Sequence, residues 1–194
     1  HGCHFKTRNS EYKRSGHESS IRLPCVLTGG EFNGGGRINE LVSLIDLPPT
    51  LLDAAGINPP ECMQGRSIMP LVRRQRVDWP DDVYVQISEA QIGRAIRTKR
   101  WKYIVSAPIG PDGYSRDAAE YTEEALYDLA SDPYELVNLI GYKSHRAVAD
   151  DMLERLRAHE RAIGEGEINV KRAPEREMGQ RRVDLRSGAP FPER

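Results

Sequence analysis

Residues 83–106 read VYVQISEAQIGRAIRTKRWKYIVS. Val83, Val85 and Ile87 alternate with Tyr84, Gln86 and Ser88, and Trp101, Tyr103 and Val105 alternate with Lys102, Ile104 and Ser106. An extended chain sends successive side chains to opposite faces, so a period of two predicts a strand at each place. Gly93 to Thr98 lies between them and can pair with the Trp101 strand through a turn near Lys99. Downstream, Leu126-Tyr127-Asp128-Leu129 supplies a fourth strand, giving a small antiparallel sheet over residues 83–130.

Such a sheet needs a cover for at least one face. Val148, Met152, Leu156, His159 and Ile163 recur at helical spacing, and an amphipathic helix carrying them can lie on the sheet. Sheet and helix together make a compact α+β subdomain over residues 76–163. Between them, Asp132-Pro133 reads as a helix entry, with Asp132 as cap and Pro133 in the first turn. From Gly164 to Arg194 apolar periodicity stops, and Pro174, Gly179, Gly188, Pro190 and Pro192 interrupt any regular element. This stretch is expected to be an extended or disordered tail, or an arm gripping its own chain or a second subunit as a homo-oligomer.

Upstream of the sheet, Leu41 to Ile57 (LVSLIDLPPTLLDAAGI) predicts a short helix. Asp46 suits its cap, Pro48 and Pro49 its first turn and Gly56 its stop. Ile21 to Leu27 (IRLPCVL) reads as a short buried strand. Residues 1–20 are polar without an apolar period and form a long loop, a kind of segment that tends to be functional. The organisation expected is therefore residues 1–75, the α+β subdomain at 76–163, and the tail at 164–194.

The chain has 194 residues, a formal net charge of −1, 29% charged and 38% apolar residues. Balanced charge argues against nucleic-acid and anionic-membrane partners, which are met by an excess of Lys and Arg. No run approaches a membrane-spanning length, and His1 is not followed by a secretory pattern. These features describe a soluble chain and leave the compartment open, with the cytoplasm slightly ahead of the periplasm or export. Cys3, Cys25 and Cys62 lack C-x-x-C spacing and read as free thiols, although Cys3 lies among His1, His4 and His17, where a zinc site would need four well-placed ligands.

In the opening loop, His1-Gly2 is followed by Lys13, Glu18, Arg22 and Pro24 in the spacing K-x-x-x-x-E-x-x-x-R-x-P. Further on come IDLPPTLLDAAGI, the MQGRS of Met63 to Ser67, and LYDLASDPYELVNLI from Leu126 to Ile140. Each block alone is weak. As an ordered set covering roughly residues 1–163, they resemble the C-terminal portion of type I, formylglycine-dependent sulfatases. The resemblance implies an alkaline phosphatase-like α/β fold, of which residues 1–75 would be the last part of the large domain.

The resemblance also implies roles. In the D-H-G motif of that family the Asp and His touch a calcium or magnesium ion, which makes His1 a metal ligand, while the residue before it would be the Asp. The loop lysine contacts sulfate in the family, which makes Lys13 a substrate-binding and catalytic donor, and His4 is the other residue expected to face substrate. Such donors suit the reaction, since sulfate ester hydrolysis concentrates charge on the non-bridging oxygens and on the leaving oxygen. For each residue there is also a plain reading: an exposed terminus for His1, a solvated lysine for Lys13, a backbone-bonded loop histidine for His4. Glu18 and Arg22, four apart, read as an ion pair, and Arg94 and Arg97 as solvated strand-face arginines or contacts to an anionic substrate.

None of the three cysteines stands in the C-x-P-S-R motif that yields formylglycine, so the nucleophile is expected only in a missing N-terminal part. The expectation is a metal-dependent sulfuric ester hydrolase acting on a small sulfated ester, represented here by a portion inactive alone. A phosphonate monoester or phosphodiester hydrolase of the same superfamily is the nearest alternative, and a non-catalytic remnant or interaction module is the other.

Overall fold

Alternating side chains in residues 82–128 build a sheet whose two faces carry different chemistry. A computed structural model of the chain describes residues 1–3, 13–89, 91–109 and 117–177; His4 and the tail beyond residue 177 lie outside the described residues. Strands β1 (Asp82–Ile87), β2 (Ile92–Thr98), β3 (Trp101–Ala107) and β4 (Tyr121–Asp128) pair antiparallel with their sequence neighbours. The turn between β2 and β3 is closed by Trp101 N–H donating to Thr98 Oγ1 at 2.8 Å. The β3–β4 register shifts between Ile104 and Val105, so that Ile104 faces Ala125 while Val105 faces Glu123. Glu124 is the extra residue of this bulge.

Ile92, Ile96, Tyr103, Val105, Tyr121 and Leu126 form one buried face. Helix α4 (Arg146–Ala162) covers it with Ala149, Met152, Leu153 and Leu156. Its buried stripe is displaced from the expected one: His159 and Ile163 are only partly buried, whereas Glu160 is fully buried. Glu160 is accommodated because Tyr84 Oη donates to its Oε1 at 2.8 Å and Arg94 Nε at 3.2 Å. At the margin, His159 Nε2 meets Asp82 Oδ1 at 2.8 Å.

After α4, Gly164 and Gly166, both at positive φ, redirect the chain along the sheet edge. There β5 (Val170–Lys171) pairs parallel with β4, completing a five-stranded sheet of order β1-β2-β3-β4-β5. Ala173 N–H donates to Glu123 Oε2 at 2.9 Å, and Arg176 N–H to the Gly141 carbonyl at 2.8 Å.

Upstream, a 3-10 turn at Leu44–Asp46 leads into helix α2 (Leu47–Ala54), which Gly56 at φ 73° ends. Asp46 occupies the cap position of α2, yet its carboxylate does not cap that helix. It accepts instead from Ser43 N–H and from Arg66 N–H, both at 2.8 Å, tying the segment to the Met63–Ser67 block. Helix α3 (Met69–Val72) follows. Leu44, Ile45, Leu51 and Ile57 are exposed along this segment.

Two sequence expectations are corrected. Residues 21–27 are not a strand: the chain leaves a one-turn helix, α1 (Glu18–Ile21), and continues without a ladder partner, with Val26 89% exposed. Apolar content alone makes no strand without a neighbour to take its backbone hydrogen bonds. Residues 132–139 are not helical either. Asp132 Oδ2 accepts from Val137 N–H at 2.8 Å, and Glu135 adopts φ 58°, so the segment is an irregular turn aiming Glu135 inward.

Candidate functional site

The sheet face opposite α4 is small and apolar at its centre, with Ala95, Ile104, Ala125 and Tyr127 buried. The loop from Lys13 to Ile21 lies on it. Gly16 permits the approach, since a Cβ there would stand 3.2 Å from Ile104 Cδ1 and 3.4 Å from Ala95 Cβ. Ser15 and Ser20 hydroxyls meet at 3.2 Å, closing the loop across its bend. His17, 5% exposed, places Nε2 3.3 Å from Tyr127 Oη. Arg14 reaches Glu89 at 2.6 Å on the flank.

The strongest tie is ionic. The Glu18 carboxylate accepts from Lys102 Nζ at 3.2 Å and from Arg97 at 3.3 Å, while its backbone N–H donates to Glu135 Oε2 at 2.9 Å. Glu135 also pairs with Lys102, whose side chain is fully buried. Burial alone would raise the Glu18 carboxyl, but the Lys102 ammonium and the Arg97 guanidinium hold it below the ordinary glutamate range. For Lys102, burial wins over the pull of Glu135 and Glu18, and its ammonium sits below the ordinary lysine range.

This network replaces the expected Glu18–Arg22 pair; the acid turns inward to strand partners, and Arg22 is exposed. Arg94, expected on a solvated face, is 1% exposed and committed to Glu160. Lys102, Glu135 and Tyr127 were not among the sequence candidates. A lysine beside Ile104 on a strand was the available sign for Lys102, whereas Glu135 gave none because its inward turn depends on a left-handed backbone.

Gly2 brings the N-terminal residues to the same loop. Its N–H donates to the Ser20 carbonyl at 2.8 Å, and a Cβ on it would lie 2.1 Å from the Ser19 carbonyl oxygen. No larger residue fits that approach, a physical reason for glycine after His1. His1 is exposed, with Nδ1 2.8 Å from the Gly2 carbonyl oxygen, leaving Nε2 for a further partner. Lys13 is half-buried at the loop start, where its carbonyl accepts from Ser15 N–H at 3.0 Å. His1 and Lys13 are thus carried by segments secured to α1 and the sheet.

Among the described residues no group of three or more His, Cys, Asp or Glu could hold a metal ion. The single free imidazole nitrogen of His1 does not make a site for a hard cation, which prefers several oxygens. The described residues therefore do not fit a calcium or magnesium ion by themselves. Cys25 and Cys62 are exposed thiols. No helix among the described residues is long and apolar enough to cross a membrane.

Comparison with known proteins places this geometry in context. Residues 11–162 match the family profile described as N-sulphoglucosamine sulphohydrolase, C-terminal. Arylsulfatase K of Homo sapiens is 32% identical over 138 residues, covering 66% of this chain and 24% of that protein. The extracellular sulfatase SULF-1 homolog of Drosophila melanogaster is 37% identical over 75 residues, 37% of this chain and 7% of that protein. A solved phosphonate monoester hydrolase from Silicibacter pomeroyi shares the fold, with a TM-score of 0.51 at 18% identity over 64% of this chain and 26% of that one. The chain spans about a quarter of the length of the arylsulfatases it matches, 24% for the human protein.

Proposed function

The chain belongs to the sulfatase family through its N-sulphoglucosamine sulphohydrolase C-terminal region, and from that premise we propose that it forms the C-terminal part of a sulfuric ester hydrolase acting on a small sulfate monoester. The supporting observation is the docked loop: Lys13 stands at the head of a segment whose Glu18 is held by Lys102, Arg97 and Glu135. A fixed ammonium donates to non-bridging sulfate oxygens without reorganising as charge develops, which is how such donors lower a barrier. Lys13 is the sulfate contact in this reading, and His4 lies nearby in sequence as a second candidate contact. His1 Nε2 is one ligand of a calcium or magnesium ion whose remaining ligands, like the formylglycine nucleophile, come from polypeptide beyond these residues. Among the described tail residues, Val170–Lys171 pair with β4 of their own sheet, and a homo-oligomer formed through the tail remains part of the proposal.

The test is to express the chain joined to the coding region upstream of the His1 codon, and to measure hydrolysis of an aryl sulfate and an aryl phosphonate. Preferred aryl sulfate turnover, lost in Lys13→Ala, is the expected result. Preferred phosphonate turnover favours the alternative that the Silicibacter fold match brings forward. Sulfatase turnover by the 194-residue chain alone contradicts the proposed division of the site.

A further inference from the structure

Lys102 is a fully buried lysine on the sheet face opposite α4, beneath the Lys13–Ile21 loop. A buried ammonium is costly unless paired and hydrogen-bonded, and this one is shared by carboxylates from two separate segments. Glu18 comes from the loop and Glu135 from the turn after β4, which is held at φ 58° with Glu135 2% exposed. Glu135 reaches the loop a second time, accepting from the Glu18 backbone N–H. Arg97, the other cation on Glu18, approaches from β2 and is partly exposed. Lys102 is therefore the one cation of the cluster that contacts both carboxylates and has no access to water among the described residues.

We propose that Lys102 is a positioning residue for the sulfate contact: by binding Glu18 and Glu135 together it sets the height and register of the loop that carries Lys13. The proposal rests on the reading of Lys13 as the sulfate donor. Removing Lys102 leaves two carboxylates facing each other at the loop base, and their repulsion lifts the loop rather than the sheet. The effect then falls on the interaction Lys13 makes with bound substrate, while Lys102 itself touches no reacting atom.

Three variants separate the roles: Lys102→Met, Lys102→Arg and Lys13→Ala, each made in the 194-residue chain and in the enzyme that contains it together with the nucleophile. In the chain, amide hydrogen exchange across residues 13–21 is expected to quicken about tenfold in Lys102→Met and to recover in Lys102→Arg, with α4 unchanged. In the enzyme, Lys102→Met is expected to lower kcat/KM for an aryl sulfate about tenfold and Lys102→Arg to restore most of it. Loop exchange and kcat/KM both at wild-type values in Lys102→Met overturn the proposal. So does a loss of kcat/KM with exchange quickened everywhere, α4 included, the signature of a purely structural lysine. If Lys102→Met does not fold, Glu135→Gln, which keeps an acceptor for Glu18 N–H, is read by the same criteria. A Lys13→Ala enzyme with unchanged kcat/KM overturns the sulfate-contact reading and this proposal with it, whereas Lys13→Ala lowering kcat/KM while Lys102→Met is inert overturns the positioning role alone.

Discussion

Gly65 approaches Ile45 so closely that a Cβ on residue 65 would lie 1.9 Å from the Ile45 carbonyl oxygen. The neighbouring Arg66 N–H donates to Asp46, so this contact locks the Met63–Ser67 block onto the start of α2. Gly65→Ala is expected to destabilise the chain by roughly 1–3 kcal/mol through forced separation of two backbones. Gly34→Ala, where an added Cβ meets nothing within 4 Å, is the control and should leave the melting temperature unchanged. Thermal melts of both variants check the pair.

Arg94 and Glu160 are 1% and 0% exposed, and burial holds the Glu160 carboxyl above the ordinary glutamate range. Deleting one partner strands the other: Arg94→Met alone is expected to cost roughly 3–5 kcal/mol. The double variant Arg94→Met/Glu160→Leu should cost less than Arg94→Met, because no unpaired charge is left inside. A double variant less stable than the single one, measured by denaturant unfolding, contradicts this account.

Acid is expected to weaken the docking of the loop on the sheet. Glu18 carries a folded-state value below its ordinary 4.5, so its stabilisation is complete above that pH and disappears as pH falls through the depressed value. Glu18→Gln is therefore expected to destabilise loop docking at pH 7 and to match wild type well below pH 4.5. Hydrogen exchange of residues 13–21 at several pH values reads this directly. A constant difference across the whole range would refute the ionic explanation.

The arm depends on Gly141. At φ 85°, with a prospective Cβ 2.5 Å from the Pro174 carbonyl oxygen, this position accepts no side chain without displacing residues 173–176. Gly141→Ala is expected to free the arm, exposing residues 168–176 to limited proteolysis and raising hydrogen exchange along β4. Strands β1 to β3 should keep their protection, since their pairing does not involve the arm.

The sheet and its covering helix were legible because both rest on local periodicity. Alternation marked Val83–Ile87 and Trp101–Val105, and helical spacing marked Met152 and Leu156, all of which stand in the expected elements. What escaped was set by distant partners. Ile21–Leu27 had a strand's composition but no neighbour to pair with. Glu18 had a plausible partner four residues on, yet its actual partners lie on β2 and β3, and a buried lysine beat a solvated arginine. Val170–Lys171 is too short to show a period and is defined by the β4 edge it meets. The ordered motif blocks disclosed the family, while the reasons for their glycines became visible only where Gly2 and Gly65 touch other backbones.

Glu18 and Lys102 are separated by 84 positions, and Glu18 and Glu135 by 117. During synthesis, the loop therefore emerges long before the strand it rests on, by roughly 4–17 s at about 5–20 residues per second. The hairpins of β1 to β4 close between near neighbours and can form quickly, whereas docking the loop requires a long-range closure. The docked loop is thus expected to be the last region to mature, a sequence of events that pulse-labelled exchange would record as protection at Ala95 and Ile104 preceding protection at Glu18. A cell that halts this chain between residues 21 and 102 would hold the loop with nowhere to seat it.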